Sequence, residues 1–162
     1  KLICDIIDTG SKNGNMLLNL GPKPDGTFTK EEENDLLEIG KWLEKNGDGI
    51  YGTTYWKQYK EGEAVAASGP FSDSKEVDYS SEDFRFTYKG GNIYCFWMRP
   101  NGENVIIKAL KKLQERDIIV EEVTLLSTGE KLEFARKEDA MEITKTDSFK
   151  SDMPLCFKVK MA

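Results

Sequence analysis

The 162-residue chain has no histidine, and this absence removes more chemistry than any other feature of its composition. Imidazole is the usual general base of nucleophilic triads and a common zinc ligand. Ser-His-Asp catalysis, Cys-His catalysis and most zinc sites are therefore excluded. Cysteine is scarce too. Cys4, Cys95 and Cys156 show none of the short spacings of metal or redox motifs, and three thiols cannot all pair within one molecule. Cys95 and Cys156 lie in apolar, strand-like runs, where a thiol acts as a small hydrophobe. The pattern fits a reducing compartment and equally a secreted protein without disulfides. With 5 Pro and 14 Gly there is no collagen-like or low-complexity bias. No apolar run approaches the ~18–20 residues that cross a bilayer, so no membrane span is expected. Positive charge is in deficit: 23 Lys and Arg against 29 Asp and Glu leave a net charge of −6. Such a chain lacks the basic footprint of a nucleic-acid binder.

What is present falls into two kinds of segment. The chain opens inside an amphipathic pattern, with Leu2, Ile3, Ile6 and Ile7 at helical spacing and Asp5, Asp8 and Lys12 opposite. It carries neither an initial Met nor a signal peptide, and reads as a C-terminal piece of a longer polypeptide. Gly10 and Asn13-Gly14 end this first helix. The short apolar run Met16–Leu20, bounded by Gly21-Pro22, predicts a strand buried on both faces, as in a parallel sheet. A turn at Pro24-Asp25-Gly26 leads to a second helix that starts at a capping box, Thr29 with Glu32, followed by a first turn rich in glutamate. Leu36, Leu37, Gly40 and Leu43, widened by Ile39 and Trp42, form its inward stripe, and Gly47 is expected as a left-handed C-terminal cap. Helix, buried strand, helix is one fragment of a repeating α/β architecture, and its strand needs sheet neighbours.

From about residue 53 the period changes from 3.6 to 2. Phe84, Phe86 and Tyr88 alternate with Arg85 and Thr87, and Lys89-Gly90-Gly91-Asn92 turns the chain into Ile93–Met98. Further strands are expected at Val105–Leu110, Val123–Leu126, Lys131–Phe134, Met141–Thr144 and Leu155–Met161. In the last of these Leu155, Phe157, Val159 and Met161 share one face. Strands of this length and spacing point to an antiparallel sandwich. Residues 57–82 read as an irregular connection with at most one strand.

The acidic residues lie mostly on helix starts, turns and charged stretches, where water solvates them. No pair is marked by the sequence as a glycosidase-type acid and nucleophile. Gly90-Gly91 sits in a hairpin, not ahead of a helix, so it is no phosphate cradle. Trp56, Trp97 and Tyr94 are candidate stacking faces for sugar rings, with Tyr94 and Trp97 on an alternating strand that has at least one core face. The residues themselves supply no catalytic set, no metal site and no cofactor site.

The stretch Ser11–Gly26, which reads SKNGNMLLNLGPKPDG, closely resembles the retaining α-L-fucosidases of glycoside hydrolase family 29. The resemblance continues through Glu38–Leu43, Asn46-Gly47 and Ile50–Trp56, and returns at Ser81–Thr87 and Gly129–Leu132; Trp97–Pro100 fits only loosely. It implies an α+β, mainly β chain. Residues 1–52 would be the last helix-strand-helix of a (β/α)8-like barrel, and residues 53–162 an antiparallel β-sandwich. It implies that the whole protein hydrolyses terminal α-L-fucose of glycoconjugates, in a secreted, periplasmic or lysosomal setting. The family's catalytic carboxylates would lie on earlier barrel segments, leaving this chain inactive alone and partnered with the remainder of the barrel. Asn19, near the C-terminal end of the implied barrel strand, becomes a candidate substrate-binding residue at the pocket rim. The alternative is a stand-alone carbohydrate-binding sandwich using Trp56, Trp97 or Tyr94.

Overall fold

A computed structural model describes residues 1–65, 77–113 and 118–162. Two helices come first, α1 (Leu2–Ser11) and α2 (Lys30–Asn46). Among the described residues nine strands follow: β1 (Thr54–Glu61), β2 (Phe84–Lys89), β3 (Asn92–Trp97), β4 (Val105–Ile107), β5 (Val120–Leu125), β6 (Glu130–Lys131), β7 (Phe134–Arg136), β8 (Met141–Ile143) and β9 (Leu155–Met161). They form a six-stranded sheet, ordered β1-β2-β3-β9-β5-β6, and a three-stranded sheet, β4-β8-β7. Every pairing is antiparallel. The fold is thus mainly β, as the alternating pattern implies, with helices packed against one side.

Local chemistry explains the boundaries. Helix α1 ends where Asn13 adopts φ 58° and its N–H bonds the Gly10 carbonyl, while the Gly14 N–H reaches back to Thr9. That is a Schellman-type cap with asparagine in the left-handed position. Helix α2 begins at the expected capping box: the Glu32 N–H donates to the Thr29 hydroxyl oxygen and the Thr29 N–H donates to the Glu32 carboxylate. Hairpin β2–β3 turns at Gly90 and Gly91, with φ 56° and 79°. Both central residues of such a turn need the left-handed region, which suits glycine.

The interior between the sheets contains Phe84, Phe86, Cys95, Trp97, Ile107, Met141, Phe149 and Phe157. On β9, Leu155, Phe157 and Val159 face this core and Met161 packs at its margin, in the register that the alternation predicts. The opposite face of the large sheet is covered by the helices. Ile3 and Ile7 of α1 and Ile39 and Trp42 of α2 pack there with Tyr94, Phe96 and Cys156. The Trp42 indole N–H donates to the Pro154 carbonyl at 2.8 Å, tying α2 to the entry of β9.

Several expectations need correction. Asn15–Leu20 forms no strand; it is an irregular segment without strand pairing, with Leu17 95% exposed. A parallel strand is held by hydrogen bonds from neighbours on each side, and the described residues contain no parallel partner for it. Gly47 is right-handed, with φ −63°, because the chain tightens into a 3-10 turn at Gly47–Gly49 before leaving the helix. On α2 the buried line runs through Ile39, Trp42 and Asn46, and Leu37 faces solvent. The strand expected at Val105–Leu110 stops at Ile107, where Lys108–Leu110 coils into a 3-10 turn. The segment expected at Lys131–Phe134 divides between sheets. The Leu132 N–H bonds Val123 of the large sheet, and the Glu133 carbonyl accepts from Thr144 beside the small one. Part of the irregular connection, residues 66–76, lies outside the described residues.

Candidate functional site

Among the described residues, three gatherings of polar side chains bear on the choice of site. The first joins α1 to the large sheet. Arg85 is fully buried on β2, on the face opposite Phe84 and Phe86. Its Nε donates to Asp8 Oδ1 at 2.5 Å, Nη1 to the Phe84 carbonyl at 2.9 Å and Nη2 to the Ala64 carbonyl at 3.0 Å. The Tyr79 ring lies 5.3 Å from the guanidinium carbon, and burial pushes the Tyr79 hydroxyl up to about 12. Asp8 also accepts from Lys12 Nζ at 2.5 Å. Next to this pair, Asp83 is held below the usual carboxylate range. Its burial opposes ionisation, but donors from the Ser80 side chain, the Ser80 N–H and the Ala64 N–H outweigh it. Every donor and acceptor here has a protein partner except the buried Tyr79 hydroxyl, so the cluster is a clasp and not a substrate site.

The second place is Asp48, in the turn after α2. It accepts from Lys89 Nζ at 2.6 Å, the Tyr94 hydroxyl at 2.8 Å and Lys158 Nζ at 3.2 Å. The Lys89 bond, with the Tyr94 and Lys158 bonds behind it, outweighs desolvation and lowers its carboxyl from 3.8 to about 2. Burial, followed by the bond to Asp48, raises the Tyr94 phenol well above its ordinary value. An acid held ionised this firmly is no general acid near neutrality.

The third is a groove of about 660 Å³ along β1, the edge strand of the large sheet, beside the end of α1. It exists because β1 bulges: Tyr55 pairs with Thr87 and Lys60 with Arg85, so extra residues bow outward between them. Lys12, Tyr55, Trp56, Lys57, Tyr59 and Lys60 line it.

The expected sugar-stacking residues do not converge. Trp97 is 1% exposed inside the sandwich, its indole N–H donated to the Ser81 carbonyl. Tyr94 is equally buried on the other face of β3. Only Trp56 reaches the surface, half-buried against Phe86 with ring centroids 5.3 Å apart. Asn19 is exposed on the unpaired segment, and no hydrogen bond joins it to the described residues. The thiols of Cys95 and Cys156 are buried and pushed well above their ordinary value by desolvation, as inert core groups should be. Among the described residues no cluster of three His, Cys, Asp or Glu side chains is placed to hold a metal ion. No helix among them is long and apolar enough to cross a membrane.

Sequence reasoning missed the Arg85–Asp8 clasp. Its one signal is an arginine between two phenylalanines in a strand whose both faces are buried. The lysine-lined groove had no signal, because residue 12 and residues 57–60 meet only in the folded chain.

Comparison with known proteins supplies what geometry leaves open. A family model described as alpha-L-fucosidase matches residues 1–48. Rat tissue alpha-L-fucosidase is 39% identical over 61 residues, 38% of this chain and 13% of that protein. The Dictyostelium discoideum alpha-L-fucosidase is 42% identical over 57 residues, 35% of this chain and 12% of that protein. The crystal structure of Thermotoga maritima alpha-fucosidase superposes with a TM-score of 0.71 at 30% identity, covering 98% of this chain and 33% of the enzyme. Alpha-L-fucosidase isoenzyme 1 from Paenibacillus thiaminolyticus, at 24% identity and a TM-score of 0.70, shares the fold over 99% of this chain and 34% of its own. The chain therefore spans about an eighth of the curated relatives' length and a third of the solved enzymes'. By its matched N-terminal residues and its fold along nearly the whole length, the chain is similar to the α-L-fucosidases, consistent with their C-terminal portion.

Proposed function

We propose that this chain serves as the closing part of a retaining α-L-fucosidase that removes terminal α-L-fucose from glycoconjugates. In this reading residues 1–52 complete a (β/α)8-like barrel and residues 53–162 form the sandwich that braces it. One observation carries the proposal. Met16, Leu17 and Leu18 form an exposed apolar segment between two helices, in the stretch that the fucosidase family model matches. An apolar segment left in solvent is a surface awaiting a partner, and strand neighbours would let it pair. The rest of the barrel supplies them, and Asn19, at the end of the segment, then stands at the rim of the sugar pocket.

The same reading makes the isolated chain inactive. A retaining mechanism needs two carboxyl groups roughly 5–5.5 Å apart across the sugar, one as nucleophile and one as acid/base. Carboxylates here are engaged elsewhere: Asp8 with Arg85, Asp48 with two lysines, and Glu61 with the N–H groups of Lys108 and Ala109. The runner-up, a free-standing sugar-binding module, loses Tyr94 and Trp97 to the core.

The test is release of nitrophenol from p-nitrophenyl α-L-fucoside. The 162-residue chain should give only the background rate, and a longer polypeptide supplying the remaining barrel should turn over the substrate. Turnover by this chain, abolished by changing one of its own carboxylates, would overturn the reading. In the active longer protein, Asn19→Ala should raise KM; an unchanged KM and kcat would remove Asn19 from the rim.

A further inference from the structure

We propose that the groove on the bulged edge strand β1 binds a short acidic oligosaccharide, one bearing sulfate or carboxylate groups. The chain as a whole is acidic, yet this strip is not. Lys12, Lys57 and Lys60 line the groove, and a neighbouring hollow that shares Lys57 and Gln58 adds Lys108 and Lys111. Lys12 is paired with Asp8 at 2.5 Å, which among the described residues leaves Lys57 and Lys60 as the uncompensated charges of the groove. In the neighbouring hollow the lining carboxylate is Glu61, whose two oxygens accept from the Lys108 and Ala109 N–H groups at 2.8 and 2.7 Å, so it is tied to backbone.

The cations are also positioned. Lys57 Nζ sits 4.8 Å from the centre of the Trp56 ring, and Lys12 Nζ sits 5.6 Å from that of Tyr59. A ring face holds an ammonium near it without neutralising its charge. Tyr55, 61% exposed, offers a flat aromatic surface beside them. An aromatic face with cations at its edge matches a pyranose that presents C–H groups on one side and an anionic substituent at its rim. The groove volume of about 660 Å³ accommodates a small oligosaccharide. The charge balance argues against a long polyanion. Beyond this strip the −6 chain repels a nucleic acid, while a short ligand touches only the lysines. No residue of the groove is asked to do chemistry, so the site stands apart from the fucosidase reading.

The experiment is calorimetric titration of the 162-residue chain at low salt with a heparin-derived tetrasaccharide, with cellotetraose, and with an oligothymidine octamer. The tetrasaccharide should bind at least about tenfold more tightly than either of the others. Reversing one groove charge with Lys57→Glu should weaken it about tenfold, and Tyr55→Ala about threefold. Lys131→Glu, on the opposite edge strand of the sheet, should leave it within about twofold. Amide chemical shifts of the unaltered chain, followed in the same titration, should move at residues 55–60. The proposal fails if the tetrasaccharide does not bind, if the octamer binds as well, if Lys57→Glu changes nothing, or if the shifts map elsewhere.

Discussion

On one face of the large sheet, Phe84, Phe86, Trp97 and Phe157 meet the small sheet in a wholly apolar layer. On the other, Arg85, Thr87, Tyr94 and Phe96 meet the helices and the turn after α2. The residues named on both faces are buried, but they are held differently. The inner layer is stabilised by apolar area removed from water, a force without direction that tolerates small adjustments. The outer layer depends on directed contacts: Arg85 to Asp8, the Thr87 hydroxyl to the Gly49 carbonyl at 2.7 Å, and Tyr94 to Asp48. A charged guanidinium taken from water is tolerable only while its partners stay in place. The lesson is that the helices are registered on the sheet by polar geometry, whereas the sandwich is registered by shape.

The sharpest way to break this contrast is Asp8→Ala. It leaves Arg85 buried without its counter-charge, and the expected loss is about 3–5 kcal/mol. The double change Asp8→Ala with Arg85→Met should recover most of that loss, because two apolar groups replace a buried pair at little net cost. Urea unfolding checks both, with Trp42 on the helix side and Trp97 in the sandwich as separate fluorescence reporters once the other tryptophans are replaced. If the double variant is no more stable than Asp8→Ala, the clasp is not what holds α1.

A smaller effect tests close packing on the outer face. A Cβ at Gly49 would lie 2.8 Å from the Phe96 ring and 2.9 Å from the Cys156 sulfur. Gly49→Ala should cost about 1–3 kcal/mol through overpacking, and Cys156→Ala in the same chain should relieve part of it. Equal losses with and without the Cys156 change would show that the sulfur is not the obstacle.

The smallest effect is acid sensitivity. Asp48 ionises at about 2 in the folded chain against an ordinary 3.8, so the unfolded state binds more protons between these values. Its contribution to stability is complete above the ordinary value and is lost as pH falls toward 2. Because the carboxylate is partly exposed, solvent and salt reduce the size of the effect. Asp48→Asn should flatten this part of the acid limb when stability is followed at Trp42. An unchanged slope would assign the limb to other acids.

Legibility in the sequence followed the range of each interaction. Thr29 with Glu32, and Gly90 with Gly91, were readable because their partners lie within a few residues. The split of the segment after Glu130 was not readable, since Leu132 and Glu133 bond to strands in different sheets. Leu17 shows the limit of periodicity. Its apolar neighbourhood reads as a buried strand, yet Leu17 is exposed and unpaired, because burial requires a neighbour that local sequence does not provide.

By itself the sequence determined the capping box of α2, the hairpin turn, the alternating strands and the likeness to fucosidases, because each rests on residues close together in the chain. Only the tertiary structure decided that Arg85 would find Asp8, 77 residues away, and that separate lysines would line one groove. Only it decided that Trp97 and Tyr94 would belong to the core. Those outcomes depend on which faces meet across the sheet, and that choice is made by packing the whole chain at once.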